Sequence, residues 1–175
     1  MKLLIIMAVI GAAAAVPAWA ADKPLEVVPY VDLQRYLGTW YEIATIPHFF
    51  QKGCVAVTAE YSLRTDGDIA VINKCRKKTL DGPVKTANGK AWVVDKATNA
   101  KLKVRFFWPF SGDYWIIELD PDYQWAVVGA PDRDYLWILC RTPRMDEALY
   151  ADLLARATAK GFDVGRLKRT LQPDQ

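Results

Sequence analysis

Histidine is almost missing from this chain, which has one, His48, among 175 residues. With only three cysteines beside it, the chain cannot supply a zinc site of ordinary histidine and cysteine spacing. Ser62 and Ser111 have no histidine nearby and no glycines of a nucleophile elbow. Asp120 and Asp122 fall in a predicted turn, where they help the chain bend. We therefore expect no metal, no cofactor and no enzymatic activity.

A strong charge of either sign is also missing. The chain has 23 basic and 20 acidic residues. Without Lys2, which belongs to the N-terminal segment described next, the balance is 22 to 20, a net charge of +2. That charge is too small to favour nucleic acid as a partner. We interpret the one basic run as a solvated strand end: Lys74, Arg76, Lys77 and Lys78.

A long apolar run occurs only at the N-terminus. Lys2 precedes the apolar stretch Leu3–Val16, and small residues follow at Ala18-Trp19-Ala20. This order is typical of a secretory signal peptide, and the run is too short and too rich in alanine for a spanning helix. We expect residues 1–20 to be removed by cleavage after Ala20. Residues 21–175 would then form a single domain in the periplasm, with association to the outer membrane left open.

What the chain has in abundance is the alternation of apolar and polar residues that strands require. In the clearest segment, Leu102, Val104, Phe106 and Trp108 share one face, and lysines and an arginine share the other. Eight such segments follow one another with short turns between them: 39–45, 55–63, 69–75, 85–95, 101–108, 114–119, 125–130 and 135–141. This order predicts an all-β, antiparallel up-and-down fold.

A helix is predicted after the eighth strand. Thr142 is placed to cap it, Pro143 suits its first turn, and Gly161 is a natural C-cap. Apolar residues recur along one face at intervals of four: Met145, Leu149, Leu153 and Ala157. We expect this face to pack against the outside of the sheet. Residues 162–171 form a short return segment, which could add an edge strand.

Two short motifs resemble the lipocalin family, and the bacterial lipocalins most closely. The first is Gly38-Thr39-Trp40, and the second is the stretch Pro131–Pro143, which contains Arg141. In that family a tryptophan plugs the closed end of an eight-stranded barrel, and an arginine from the last strand stacks on it. The resemblance covers nearly the whole mature chain. It implies a barrel with the helix packed outside, and structural roles for Gly38, Trp40 and Arg141.

Bacterial lipocalins often carry a lipoprotein signal with a cysteine. This chain has no cysteine before Cys54, so we expect no lipid anchor. Cys54 and Cys75 lie at nearby ends of two strands of one hairpin, and we predict a disulfide between them. Closing a loop of about twenty residues would stabilise the fold by roughly 3 kcal/mol. Cys140 would remain a buried thiol, and the pairs Cys54–Cys140 and Cys75–Cys140 stay possible.

The inside of an eight-stranded barrel holds side chains alone or one small ligand. The inward positions are predicted to be Val57, Tyr61, Val104, Phe106, Trp108, Trp115 and Ile117. The inward residues of the third and fourth strands are not assigned, because a bulge could change which residues face inward. We find no inward carboxylate or lysine in the clear strands. The interior should therefore favour an acyl chain or an apolar ring.

Phe49 and Phe50 occupy the predicted loop Pro47–Gly53 after the first strand. They could fold back on the core as a lid. They could equally form a gate over a cavity mouth, as the first long loop of lipocalins does. Both count among the predicted ligand-binding residues, and whether this loop contacts a membrane stays open.

The leading hypothesis is a carrier that binds a fatty acid or a lysophospholipid in storage or maintenance of cell-envelope lipids. The lipid class follows from the apolar interior and the resemblance, and the envelope role follows from the resemblance alone. We expect a monomer or a weak homodimer. One alternative is a carrier of a pigment, haem or another ring compound, with His48 as the one imidazole available to haem. Another is a thiol-dependent enzyme that uses Cys54, and the rival fold is an outer-membrane barrel.

Overall fold

The computed structural model describes residues 23–173, so the predicted signal peptide, residues 1–20, lies outside the described part. The helices and strands are, in chain order, α1 (Leu33–Tyr36), β1 (Gly38–Thr45), β2 (Cys54–Leu63), β3 (Ile69–Lys77), β4 (Val84–Val93), β5 (Lys101–Phe107), β6 (Phe110–Leu119), β7 (Trp125–Gly129), β8 (Leu136–Cys140), α2 (Glu147–Ala159) and β9 (Lys168–Arg169). Strands β1 to β8 each pair antiparallel with the next, and β1 also pairs with β8. These pairings close the sheet, and the predicted eight-stranded barrel is confirmed.

Two apolar clusters lie on opposite faces of the barrel wall. Side chains inside the barrel form the interior cluster, which includes Trp40, Tyr61, Leu102 and Ile116. Side chains between the wall and α2 form the outer cluster, which includes Ile43, Val127, Leu153 and Phe162. Strand β8 contributes to both, with Trp137 and Leu139 inward and Ile138 and Cys140 outward. Its continuous apolar run therefore reflects burial on two sides.

The up-and-down order places successive strand connections at opposite ends of the barrel. The closed end carries α1 and the start of β1, where Gly38 adopts a φ of +93° that other residues rarely take. The β2–β3, β4–β5 and β6–β7 connections lie at this end. The β1–β2, β3–β4, β5–β6 and β7–β8 connections lie at the other end, here called the open end.

The segment after α2 completes the barrel wall beside the open end. Strands β1 and β2 pair only from Gly38 to Tyr41, and beyond that point they separate. Strand β9 pairs with β1, which confirms the predicted edge strand. The amide of Ala56 donates to the Leu171 carbonyl, and Gln172 Nε2 donates to the carbonyls of Glu42 and Val57, at 2.8 and 2.9 Å. These bonds fill the gap between the two strands.

Helix α2 packs on the outer cluster as predicted, but it begins later than the sequence suggested. Asp146 is the N-cap, and its carboxylate accepts from the Leu149 amide at 2.9 Å. The Thr142 hydroxyl instead donates to the Arg144 carbonyl at 2.7 Å, so Thr142 closes a tight turn before the helix. Gly161 follows the helix with a φ of +89°, as a C-cap requires. Within residues 23–173, no helix is both long and apolar enough to cross a bilayer.

Candidate ligand-binding site

The closed end is sealed by Trp40 and Arg141. The guanidinium of Arg141 lies 3.8 Å from the centre of the Trp40 ring, which is fully buried. The guanidinium also donates to backbone carbonyls around it, with Thr39 at 2.9 Å and Leu37 at 2.9 Å. The Trp40 indole N–H donates to the Tyr36 carbonyl at 2.9 Å. These contacts hold Trp40 and Arg141 together at the closed end and confirm the pairing that the sequence predicted.

Three tyrosine hydroxyls meet inside the barrel above that seal. The Tyr114 hydroxyl lies 2.8 Å from that of Tyr36 and 2.9 Å from that of Tyr61. Burial raises the pKa of Tyr61 to about 12 and the pKa values of the other two well above their usual range. The three hydroxyls are therefore neutral at physiological pH, and they offer hydrogen bonds without charge.

One space in the barrel interior, here called the lumen cavity, has a volume of about 70 Å³. It is lined by Glu42, Phe50, Gln51, Val57, Thr58, Ala59, Tyr61, Asn73, Tyr114, Trp137 and Leu139. Pockets for drug-sized ligands usually measure about 300 to 1,000 Å³. The lumen cavity is smaller than such pockets in this closed arrangement. A ligand must displace side chains, and Phe50 is the lining ring nearest to solvent, with 48% exposure.

The interior also contains a carboxyl group, which contradicts the expectation of none. Glu42 on β1 is buried, and its oxygens accept from the Thr170 hydroxyl at 2.5 Å and from the Gln51 amide at 2.6 Å. Burial raises the pKa of Glu42, and the two hydrogen bonds oppose that shift. Glu42 stands two residues after the inward Trp40, so alternation along β1 places both on the same face, and the pairing with β8 shifts only beyond Glu42.

The loop Pro47–Gly53, here called the lid loop, covers part of the mouth. The imidazole of His48 stacks on the Phe50 ring with centroids 3.7 Å apart, and it also contacts Tyr135 and Trp137. Both ring nitrogens of His48 are shielded from solvent and have no hydrogen-bond partner among the described residues. Desolvation lowers the pKa of His48 to about 4, so the imidazole is neutral at physiological pH. The lid loop is tied to the wall by the bond from Gln51 to Glu42.

A groove of about 510 Å³ lies on the other side of the lid loop, outside the barrel. It is lined by Glu42, Thr45, Pro47, His48, Phe49, Gln51, Lys52, Gly53, Cys54, Val55, Lys168, Arg169, Thr170 and Leu171. Glu42 and Gln51 line both this groove and the lumen cavity. The lid loop therefore separates two spaces, and moving it would join them.

Four of the predicted lining residues do face inward. Val57 and Tyr61 line the lumen cavity, and Val104 and Phe106 pack against the interior cluster. The two loop aromatics differ from each other. Phe50 lines the lumen cavity, whereas Phe49 is 85% exposed and lines the groove.

Three predicted lining residues do not face inward. Trp108 is 81% exposed, because β5 ends at Phe107 and the next two residues form the turn into β6. Trp115 and Ile117 belong to the outer cluster, where Lys101 lies over the Trp115 ring. The inward residues of β6 are Tyr114 and Ile116 instead. Both faces of β6 are apolar because α2 covers the outer one. Alternation along β6 therefore did not show which face points into the barrel.

Counting back from the β5–β6 turn would not have found the inward residues of β6. Phe107 pairs with Phe110 at the turn, but the register shifts before Val104, so Leu102 pairs with Tyr114 and not with Trp115. Paired residues share a face of the sheet, and this one-residue shift places Tyr114 inside.

Glu42, Gln51 and Trp137 were also missed. Glu42 stands two residues after the inward Trp40, and alternation from that tryptophan would have found it. Gln51 lies in the lid loop, where alternation gives no signal.

The cysteines pair as predicted. Cys54 and Cys75 form a disulfide, and Cys140 is a buried free thiol that contacts Thr142 and the Arg144 carbonyl. The sulfur of Cys54 is therefore not available as a nucleophile. Among residues 23–173, no group of three or more histidine, cysteine or acidic side chains is placed to hold a metal ion.

Comparison with known proteins agrees with this geometry. The family model described as a lipocalin-like domain matches residues 31–172. The chain is 46% identical to outer membrane lipoprotein Blc of Escherichia coli (strain K12) over 176 residues, 99% of each chain. It is 42% identical to temperature-induced lipocalin-1 of Arabidopsis thaliana over 161 residues, 87% of this chain and 85% of the relative. Insecticyanin from the tobacco hornworm Manduca sexta matches in fold alone, with a TM-score of 0.70 and 17% identity, over 87% of this chain and 86% of that one.

Proposed function

This chain belongs to the lipocalin family, and on that premise we propose that it binds a fatty acid or a lysophospholipid inside its barrel. Family membership supports a hydrophobic small-molecule ligand. Relatives named as outer membrane lipoproteins support a place in the cell envelope. We place the protein in the periplasm, as a monomer or weak homodimer that takes lipid from a membrane and stores or returns it.

The main support for this proposal is the position of Phe50. Its ring lines the lumen cavity and is still 48% exposed, so it lies between the interior and solvent. Lifting the lid loop separates the His48 ring from Tyr135 and Trp137, contacts that each stabilise by about 0.5 to 1.5 kcal/mol. It also breaks the bond from Gln51 to Glu42, a contribution of about 1.5 to 3 kcal/mol for a charged acceptor. The lid loop can therefore open at modest cost.

Burial of an acyl chain exceeds that cost. A chain of about fourteen methylenes gains roughly 11 kcal/mol at about 0.8 kcal/mol for each. Association and chain ordering remove several kcal/mol, and lid opening removes a few more. The remainder corresponds to a dissociation constant at or above about micromolar. The tail would enter beneath Phe50 and displace side chains of the interior cluster.

The polar head would stay near the mouth. Lys52 and Lys168 line the groove beside the lid loop, and both are exposed cations without an ion pair among the described residues. A carboxylate or phosphate that emerges past Phe50 would meet them. The tyrosine hydroxyls deeper in the barrel carry no charge and cannot replace these cations. This arrangement favours anionic lipids over neutral ones of equal chain length.

The two alternative functions have weaker support. A thiol-dependent enzyme needs a free Cys54, and that residue is in a disulfide. A haem carrier needs a free imidazole nitrogen directed into the barrel, but His48 is stacked between aromatic rings of the lid. A carrier of a pigment or another ring compound would use the same lumen cavity beneath Phe50, and the mass of the bound ligand separates it from a lipid carrier.

The test compares two matched substitutions. Ala59 lines the lumen cavity, and Ala70 lies on the outward face of the neighbouring strand, between inward Ile69 and Val71. We expect Ala59→Phe to fill the cavity and to weaken binding of a fluorescent fatty acid at least tenfold. Ala70→Phe should bind as the wild type does.

Native mass spectrometry of protein from the periplasm identifies the ligand class. We expect adducts with the masses of fatty acids or lysophospholipids, which Ala59→Phe should lack. Far-ultraviolet circular dichroism checks that both variants are folded. Equal fatty-acid binding by the two variants would place the ligand outside the barrel and overturn the proposal, as would repeated absence of acyl adducts from the wild type.

A further inference from the structure

Large aromatic side chains stand exposed at the open end. The β5–β6 hairpin turns through Trp108 and Pro109, and Phe107 pairs with Phe110 across it. Phe107, Trp108 and Phe110 are 74%, 81% and 78% exposed, and they are here called the aromatic tip. Phe49 on the lid loop is 85% exposed. Folded soluble proteins rarely present so much apolar surface without a partner for it.

The barrel order fixes where these groups lie around the mouth. The four connections at the open end follow one another as the lid loop, β3–β4, β5–β6 and β7–β8. The β3–β4 connection therefore lies between Phe49 and the aromatic tip. Leu80 in this connection and Val84 at the start of β4 add two exposed apolar side chains. The apolar groups thus follow one side of the mouth.

The same side of the mouth is basic. Its cations are Lys52, Arg76, Lys77, Lys78 and Lys85, and Asp81 is the one acid between residues 76 and 85. The β7–β8 connection, on the opposite side, contains Asp132 and Asp134 with Arg133 between them, and Asp134 pairs with Arg166. Aromatic rings beside lysines suit the headgroup region of a bilayer that contains anionic lipid.

We propose that the aromatic tip, Phe49 and the basic β3–β4 connection form a docking surface for an anionic bilayer. Docking turns the mouth towards the membrane, so a lipid tail passes from the bilayer towards Phe50 without crossing bulk water. The idea rests on the proposed function, since it explains how a poorly soluble ligand reaches the barrel. It also gives a role to Trp108, which the barrel interior does not use.

The test measures partition of the mature protein onto vesicles by flotation. The vesicles contain phosphatidylglycerol and phosphatidylcholine, or phosphatidylcholine alone. We expect the triple variant Phe107→Ser, Trp108→Ser, Phe110→Ser to bind anionic vesicles at least tenfold less than the wild type. The matched control changes three exposed apolar residues away from the open end, Tyr30→Ser, Leu63→Ser and Val94→Ser, and should partition normally. Each of Lys78→Gln and Lys85→Gln should weaken partition about fivefold.

Fatty-acid binding in solution separates this proposal from the proposed function. The aromatic-tip variant should bind a fluorescent fatty acid normally in the absence of vesicles, and Ala59→Phe should partition normally onto vesicles. Equal partition of wild type and aromatic-tip variant, an equal loss in the matched control, or equal binding to vesicles of phosphatidylcholine alone would overturn the docking surface. Sedimentation gives the remaining outcome: a dimer that the aromatic-tip substitutions convert to a monomer would make this surface an interface between two copies, and would also overturn the proposal.

Discussion

The two ends of the barrel use aromatic side chains in opposite ways. At the closed end Trp40 is fully buried, its N–H is bonded, and Arg141 covers its face. At the open end Trp108 is 81% exposed, and the imidazole nitrogens of His48 have no partner among the described residues. Folding alone accounts for the first arrangement and gives no reason for the second.

The difference indicates where stability and function reside. Buried, fully bonded groups at the closed end hold the strands in one arrangement. Exposed rings and a loosely tied loop at the open end contribute little to the fold, and they remain free to meet a ligand or a surface. Substitutions at the closed end should therefore change the free energy of unfolding, whereas those at the open end should change binding.

Trp40→Ala should produce the largest effect. It removes a buried ring and leaves a cavity under Arg141, which should destabilise the fold by about 3 to 5 kcal/mol. Phe49→Ala removes a ring that is 85% exposed and should change the free energy of unfolding by less than about 0.5 kcal/mol. Urea denaturation followed by circular dichroism measures both values. Similar losses in the two variants would contradict the contrast between the ends.

Removal of the disulfide should rank second. Cys54 and Cys75 are 21 residues apart, and a loop of that size stabilises by about 3 kcal/mol through the entropy of the unfolded chain. The double substitution to serine should lower the free energy of unfolding by that amount. Cys140→Ser is the control, since this thiol lies outside the disulfide. No difference between the double variant and the control would mean that the bond does not constrain the unfolded state.

Arg141→Lys should have a smaller effect of about 2 kcal/mol. Lysine keeps a cation near Trp40, but it cannot reproduce the planar fork that donates to Thr39 and Leu37. Urea denaturation again gives the value. A variant as stable as the wild type would show that the stacked charge matters more than the hydrogen bonds.

The closed end was also the part that the sequence predicted best. Gly38, Trp40 and Arg141 lie in short motifs whose geometry is local, and the spacing of the strands brings the motifs together. The disulfide followed for the same reason, because Cys54 and Cys75 flank one hairpin. Contacts set by strand order alone can be derived from alternation and turn signals.

The open end and the lumen could not be derived in this way. Alternation predicts direction only where one face of a strand is polar, and β6 is apolar on both because α2 covers its outer face. The prediction extended the alternation of β5 beyond Phe107, where the strand ends, and therefore wrongly placed Trp108 inside the barrel. Alternation from Trp40 places Glu42 inside, but its hydrogen-bond partner Thr170 is distant in sequence. These positions depend on tertiary contacts.

The smallest expected effect is a pH dependence of lid opening, and His48 should set its sign. Desolvation lowers the pKa of His48 to about 4 when the lid loop is closed. Its ordinary value is about 6.5, which it regains when the loop opens, so the open loop binds more protons between those values. Acidification from pH 7 to 5 should therefore raise the population of the open loop by about twentyfold. Hydrogen exchange at the amides of Gln51 and Lys52, corrected for intrinsic rates, measures this change.

His48→Phe tests the assignment, since it keeps a ring against Phe50 but cannot be protonated. Glu42 is the other group beside the lid loop with a shifted pKa, which burial raises and the bond from Gln51 lowers. Opening the loop reduces both contributions, and they act on this pKa in opposite directions. In the variant, acidification should therefore leave exchange at the two amides nearly unchanged; if it still accelerated exchange, His48 would not be the group that opens the lid.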